Sequence, residues 1–256
     1  MHEAVSVVSR LGGMGSMGQW LTAKNCSIGR EDLLIGEKLD AAADEGYPRV
    51  ELWWPFGTPE PAAEEMDELV AGLEKRGQQL VALNAWAGDM AGGDRGILHQ
   101  RDMPVGHIDA LDYLHQRTGV RRFNVLLGAD GCEVSAAQVA RFGQVQSQLE
   151  RRFGGVAMVE PLSGMENYPV QTVVDAECVI AQVGGGLLLD VYHLAVNTGV
   201  SGVDEIVDSV RPEHVQVADS PGRGAPGTGE LPLGEWMRRL RDAGYAGEIV
   251  GEWLPS

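Results

Sequence analysis

Short apolar runs of strand length alternate along the chain with longer amphipathic segments, a pattern that predicts repeated βα units and a parallel sheet. Eight runs read as strands: Thr22–Ile28, Arg49–Trp53, Gln79–Asn84, Arg122–Leu127, Val156–Glu160, Gly186–Asp190, His214–Ala218 and Glu248–Glu252. Eight repeats are the number that closes such a sheet, so the expected architecture is an α/β fold of the (β/α)8 TIM-barrel type. Between the runs lie scaffold helices, among them Glu60–Arg76, acidic in its first turns, and Val134–Arg152, with arginines near its end, as the helix dipole favours. The Gly- and Asp-rich stretches Trp86–Met103 and Ser220–Glu230 are too long for simple turns and are expected to be functional loops. Gly184-Gly185-Gly186 leads into a strand without a following helix and lysine, so it reads as a turn and not a phosphate loop.

Two departures from an ideal barrel are expected. Only four residues follow Glu252, so the eighth helix is short or missing. Residues 1–20 carry no periodic pattern and read as an extension, either disordered or filling the place of that helix, ahead of a single barrel domain over 21–256.

Composition narrows the function. The 256 residues suit one barrel, and 44% apolar content supplies a sizeable core. With 20 basic against 37 acidic residues the net charge is −17, which disfavours nucleic acid and anionic membranes as partners and requires a local cation wherever an anionic substrate is handled. No run reaches the roughly 18 apolar residues of a membrane span, and the start lacks a secretory pattern. The three widely spaced cysteines, Cys26, Cys132 and Cys178, suit reduced thiols and argue against a zinc–thiolate site. A cytoplasmic protein is expected, with a homo-oligomer possible.

In a barrel the chemistry sits at the carboxyl ends of the strands, so polar residues that terminate apolar runs are the informative ones. Four consecutive runs carry one: Glu160, Asp190, Gln216 and Glu252. Each alone has a plain reading: Asp190 as a helix cap, Glu160 as an arginine partner, Gln216 as a surface amide. Together they place three carboxylates and an amide side by side, a set whose mutual repulsion a divalent cation relieves. All-oxygen ligands favour Mg2+ or Mn2+ over zinc. His193, three residues past Asp190, and Arg223, in the loop after Gln216, are candidates for binding substrate oxygens, or else a core histidine and a solvated loop charge. Trp53, Trp54 and Trp86 are candidates for the pocket wall or for plain core.

At these residues the chain resembles the hydroxypyruvate isomerase family, within the xylose isomerase-like barrels that also hold ketose 3-epimerases and 2-oxo-tetronate isomerases. The resemblance runs from Asn25-Cys26-Ser27 through Asn84, Gly88-Asp89-Met90 and Arg95-Gly96 to Val159-Glu160-Pro161, Asp190-Val191-Tyr192-His193, His214-Val215-Gln216 and Gly251-Glu252. It implies metal ligation by Glu160, Asp190, Gln216 and Glu252, with Glu160 and Glu252 also acting as proton donor and acceptor. It further implies that Arg223 binds a small hydroxy-carbonyl acid or sugar. Two departures bear on the substrate: many relatives carry histidine where Gln216 stands, and Pro55-Phe56-Gly57 replaces longer polar loops. Glutamine there favours the hydroxypyruvate and oxo-tetronate side of the family.

Other reactions fit less well. A Schiff-base aldolase needs a lysine near a late strand end, and the chain has only Lys24, Lys38 and Lys75. A metal-dependent endonuclease needs several histidine ligands and a basic groove. A barrel that binds a sugar acid without turning it over stays open.

Overall fold

The computed structural model describes residues 17–255. All eight expected strands form and pair in parallel, each with its chain neighbours, into a closed barrel: β1 (Ala23–Asn25), β2 (Arg49–Leu52), β3 (Gln79–Asn84), β4 (Arg122–Asn124), β5 (Val156–Val159), β6 (Gly186–Asp190), β7 (His214–Val217) and β8 (Ile249–Gly251). β3 and β6 fill their apolar runs, and the other six strands are shorter than theirs because pairing stops where the chain turns out of the sheet. Glu160 and Glu252 therefore stand one residue beyond β5 and β8, on the turns themselves. The expected β4 run to Leu127 ends at Asn124, and Leu127 makes an isolated antiparallel bridge to Gly96.

Seven helices cover the barrel among the described residues: α1 (Ile35–Asp44), α2 (Ala63–Arg76), α3 (Val105–Thr118), α4 (Ala136–Phe153), α5 (Val173–Val183), α6 (Val191–Ile206) and α7 (Leu233–Asp242). The helix expected from Glu60 starts later, at Ala63, after Pro61. The helix expected from Val134 starts at Ala136, because the Ser135 hydroxyl accepts the Gln138 N–H and the Gln138 side chain accepts the Ser135 N–H, a reciprocal cap. No helix follows β8 among the described residues, as expected. Residues 1–16 lie outside the described part, but Met17–Trp20 forms a turn whose Met17 is buried in the core. None of the described helices is long and apolar enough to cross a membrane.

The core is the ring between the sheet and the helices, with Phe123, Phe142, Trp236 and many aliphatic residues buried in it. The two long loops close over the mouth. In the first, Gly96 sits at φ 98° with its backbone against Leu126 and Gly128, where a Cβ would lie 2.0 Å from the Leu126 carbonyl oxygen. The loop is thereby held on the end of β4.

The root of this loop is also held by His107. Its Nδ1–H donates to the Pro59 carbonyl at 2.8 Å and its Nε2 accepts the Trp86 N–H at 3.0 Å, so only the neutral ring satisfies both. Burial pushes His107 down to about 4, opposed by the Pro59 bond. A base whose folded pKa is lowered stabilises the fold fully above its unfolded value near 6.5 and loses that contribution as pH falls from there toward 4. The expected loss is roughly 3 kcal/mol at pH 4. It is measurable by denaturant unfolding against pH, with a flatter profile in His107→Gln. An equally steep profile in that variant would remove His107 as the cause.

Candidate active site

A cavity of about 260 Å3 opens at the carboxyl ends of the strands. Its wall includes Trp53, Asn84, Met90, Arg95, Glu160, Ser163, His193, Arg223 and Glu252. A larger, shallower groove of about 650 Å3 lies along α4, lined by residues such as Gln144, Ser147 and Arg151. No acid–base groups converge there among the described residues, so the smaller cavity is the candidate site.

The four strand-end residues are all buried: Glu160 is 5% exposed, Asp190 2%, Gln216 1% and Glu252 3%. Asp190 does cap α6, its Oδ1 accepting the Tyr192 N–H at 2.8 Å and the His193 N–H at 3.4 Å, but its Oδ2 faces the site. Glu160 has no arginine partner among the described residues; the Asn124 amide donates to its Oε2 at 2.6 Å. Gln216 is not a surface amide, since it lies inside β7 and its Nε2 donates to Glu51. Glu252 accepts the Asn25 amide and the Trp53 indole at Oε1, each at 2.9 Å.

Arg223 ties Asp190 and Glu252 together. One nitrogen, Nη2, donates to Asp190 Oδ2 at 2.9 Å and to Glu252 Oε2 at 2.5 Å. The residue adopts φ 52°, in the left-handed region that non-glycine residues rarely occupy. It is not a solvated loop charge. Its Nη1 also lies 3.1 Å from His193 Nε2, and the other ring nitrogen, Nδ1, meets the Ser163 backbone N–H at 3.1 Å and Ser163 Oγ at 2.7 Å. Burial pushes His193 down to about 4, Asp190 opposing and Arg223 adding to the shift, so the ring is neutral.

Burial pushes Glu252 up to about 8, with Arg223 pulling down and Asp190 and Glu51 pushing up. Burial and the neighbouring Glu252 and Asp190 likewise raise Glu160 well above the usual carboxylate range. Two carboxyl groups raised in one cavity are the electrostatic mark of a site built to hold or move protons and cations.

A divalent cation fits the residues present. Single donor atoms of Glu160, Asp190 and His193 lie within 4.8 Å of one another, and Gln216 Oε1 is buried with no hydrogen-bond partner. A buried amide oxygen without a partner among the described residues is a group that a hard cation can satisfy. His193, expected only as a substrate contact, is the third member of that cluster, and Glu252 is not among its members.

Several residues of the site carry no strand-end carboxylate pattern. Glu51 lies within β2, surrounded by Asn25, His214 and Gln216. Asn25 and Asn124 end β1 and β4, and each orients one of the two glutamates. Arg95 adds a second cation to the cavity wall. The available signal for Glu51 was a lone carboxylate inside the apolar run Val50-Glu51-Leu52-Trp53.

With this geometry in view, the profile of the xylose isomerase-like TIM barrel matches residues 39–255. The chain belongs to that family. A Streptomyces coelicolor protein whose name carries a provisional hydroxypyruvate isomerase assignment is 34% identical over 252 residues, covering 91% of this chain and 90% of that protein. The 2-oxo-tetronate isomerase of Cupriavidus necator is 27% identical over 91% of this chain and 92% of its own. Among solved structures, that of a Brucella melitensis protein described as an AP endonuclease of family 2 superposes with a TM-score of 0.76 at 22% identity, covering 92% and 93% of the two chains. That likeness shows the shared barrel and nothing of the reaction. Through these relatives the xylose isomerase-like barrel is an isomerase.

Proposed function

We propose that the chain interconverts an aldose and a ketose form of a small hydroxy-carbonyl acid, hydroxypyruvate and tartronate semialdehyde in the first place. The observation that carries this is the pair of buried, upshifted carboxyl groups, Glu160 and Glu252, on the wall of one cavity. The isomerase names of the relatives agree with it.

Glu160, Asp190, Gln216 and Glu252 would hold a divalent cation, Mg2+ or Mn2+ by their oxygen donors. When bound it supplies fixed positive charge next to the two adjacent substrate oxygens on which negative charge builds. One of the two glutamates takes the proton from the carbon beside the carbonyl, and the other delivers a proton to the former carbonyl carbon. The hydroxyl proton of the first carbon ends on the oxygen of the second, so the exchange is atom-balanced. Arg223 holds the substrate carboxylate, with Arg95 as a further cation on the wall, and neutral His193 meets a substrate hydroxyl. Asn25 and Trp53 fix Glu252, and Asn124 fixes Glu160, so that neither acid–base group must reorganise during transfer.

The test is conversion by chelator-stripped and Mn2+-reloaded protein of hydroxypyruvate, 2-oxo-tetronates and free ketoses. The expected result is metal-dependent turnover that favours hydroxypyruvate. Preference for a 2-oxo-tetronate or a free ketose would move the assignment to an oxo-tetronate isomerase or a 3-epimerase, which use the same carboxylates.

A further inference from the structure

Glu51 takes no part in the proton transfers, yet it is 1% exposed at the centre of the barrel and surrounded by donors. Its Oε1 accepts from Asn25 Nδ2 at 2.8 Å and from Gln216 Nε2, and its Oε2 accepts from His214 Nε2. The register between β2 and β3 slips between Val50 and Glu51, an irregularity of the kind that re-aims a side chain near a site. A buried carboxylate among apolar strands is costly, and three donors from two other strands are what make it tolerable here.

We propose that Glu51 is a positioning residue that fixes which end of the Gln216 amide faces the cation site. A primary amide has two ends of nearly equal size and opposite chemistry, an oxygen that a cation accepts and an NH2 group that repels it. Histidine or a carboxylate presents no such ambiguity; glutamine does. A carboxylate at position 51 accepts only, so it selects the NH2 end of Gln216 and leaves Oε1 pointing away from it, buried and unpartnered. Asn25 extends the same control: its Oδ1 is held by the Ser27 and Ile28 N–H groups, and its single NH2 group bridges Glu51 and Glu252. One buried carboxylate thus sets the orientation of one of the four groups assigned to the cation, Gln216, and shares the Asn25 amide with a second, Glu252.

This rests on the reading that Glu160, Asp190, Gln216 and Glu252 hold a divalent cation, and the experiment separates the two. Mn2+ is titrated into the metal-free full chain by calorimetry, with circular dichroism and thermal melting reporting the fold. Glu51→Gln has the same shape but can donate as well as accept, so Gln216 is free to turn. Its Mn2+ affinity is expected to fall about 10- to 100-fold, as when groups that orient metal ligands are removed. Adding Gln216→Glu to Glu51→Gln is expected to bring the affinity back near the wild-type value, because a carboxylate has no wrong end and accepts from the new amide. Rescue of this kind is not expected of a residue that only stabilises the barrel, and it is read on the double variant even if Glu51→Gln alone folds poorly. Wild-type affinity in a folded Glu51→Gln, or a double variant no better than a protein lacking the Gln216 ligand, overturns the role of Glu51. Absence of Mn2+ binding by the wild type overturns the cation site and the inference with it.

Discussion

Glu160→Gln and Glu252→Gln are each expected to fold and to lose at least about a hundredfold in kcat/KM on hydroxypyruvate, the ordinary size of a lost general acid or base. Glutamine keeps the shape of the side chain and its bonds to Asn124, or to Asn25 and Trp53, can reorganise around the amide. What it cannot do is exchange a proton with carbon. The environment supports this choice over a purely structural one. In the metal-free protein burial raises both carboxyl groups, Glu252 to about 8, so neither is the spectator anion that an exposed glutamate is at neutral pH. Because the same residues are assigned to the cation, turnover must be compared at saturating Mn2+. Near-normal rates there would exclude the pair as the proton carriers.

The second large effect is on stability. Arg223→Gln is expected to destabilise the metal-free protein by about 3 kcal/mol, the usual consequence of removing one partner from a buried ionic cluster. The guanidinium donates to both Asp190 and Glu252, whose side chains are almost completely buried, so its loss leaves two acceptors facing each other and Glu160 without a counter-charge. Protonation of the raised carboxyl groups limits the damage, which sets the figure at the low end for buried pairs. Saturating Mn2+ is expected to narrow the gap between variant and wild type, because a ligand that binds only the folded chain stabilises it by mass action. Chemical unfolding with chelator and with Mn2+ measures both values. A variant as stable as wild type under chelation would show that Arg223 does not hold the carboxylates together.

Much of this architecture is legible in the residues. β3 is found over the expected Gln79–Asn84, and the other strands lie within their apolar runs, because parallel strands buried on both faces must be apolar throughout. Glu160, Asp190, Gln216 and Glu252 stand out as polar endings of such runs, and the barrel rule that strand ends meet at one mouth turns four local signals into one place. Glu51 escapes that logic since it lies inside its run, and its partners His214 and Gln216 are 163 and 165 positions away. Only closure of the barrel brings β2 and β7 within reach of each other's side chains. Arg223 was legible as a cation near the site but not as the clamp between Asp190 and Glu252, which depends on its left-handed backbone and on the fold of the Ser220–Glu230 loop.

The cavity is proposed to move a proton between adjacent carbons of hydroxypyruvate. The most direct measurement follows the reaction of the Mn2+-reloaded wild-type protein in deuterated water by NMR. The expected result is deuterium entering the C–H positions of substrate and product at a rate that Glu160→Gln and Glu252→Gln suppress. A protein that binds Mn2+ and hydroxypyruvate, yet leaves every substrate C–H unexchanged and forms no tartronate semialdehyde, would contradict the account.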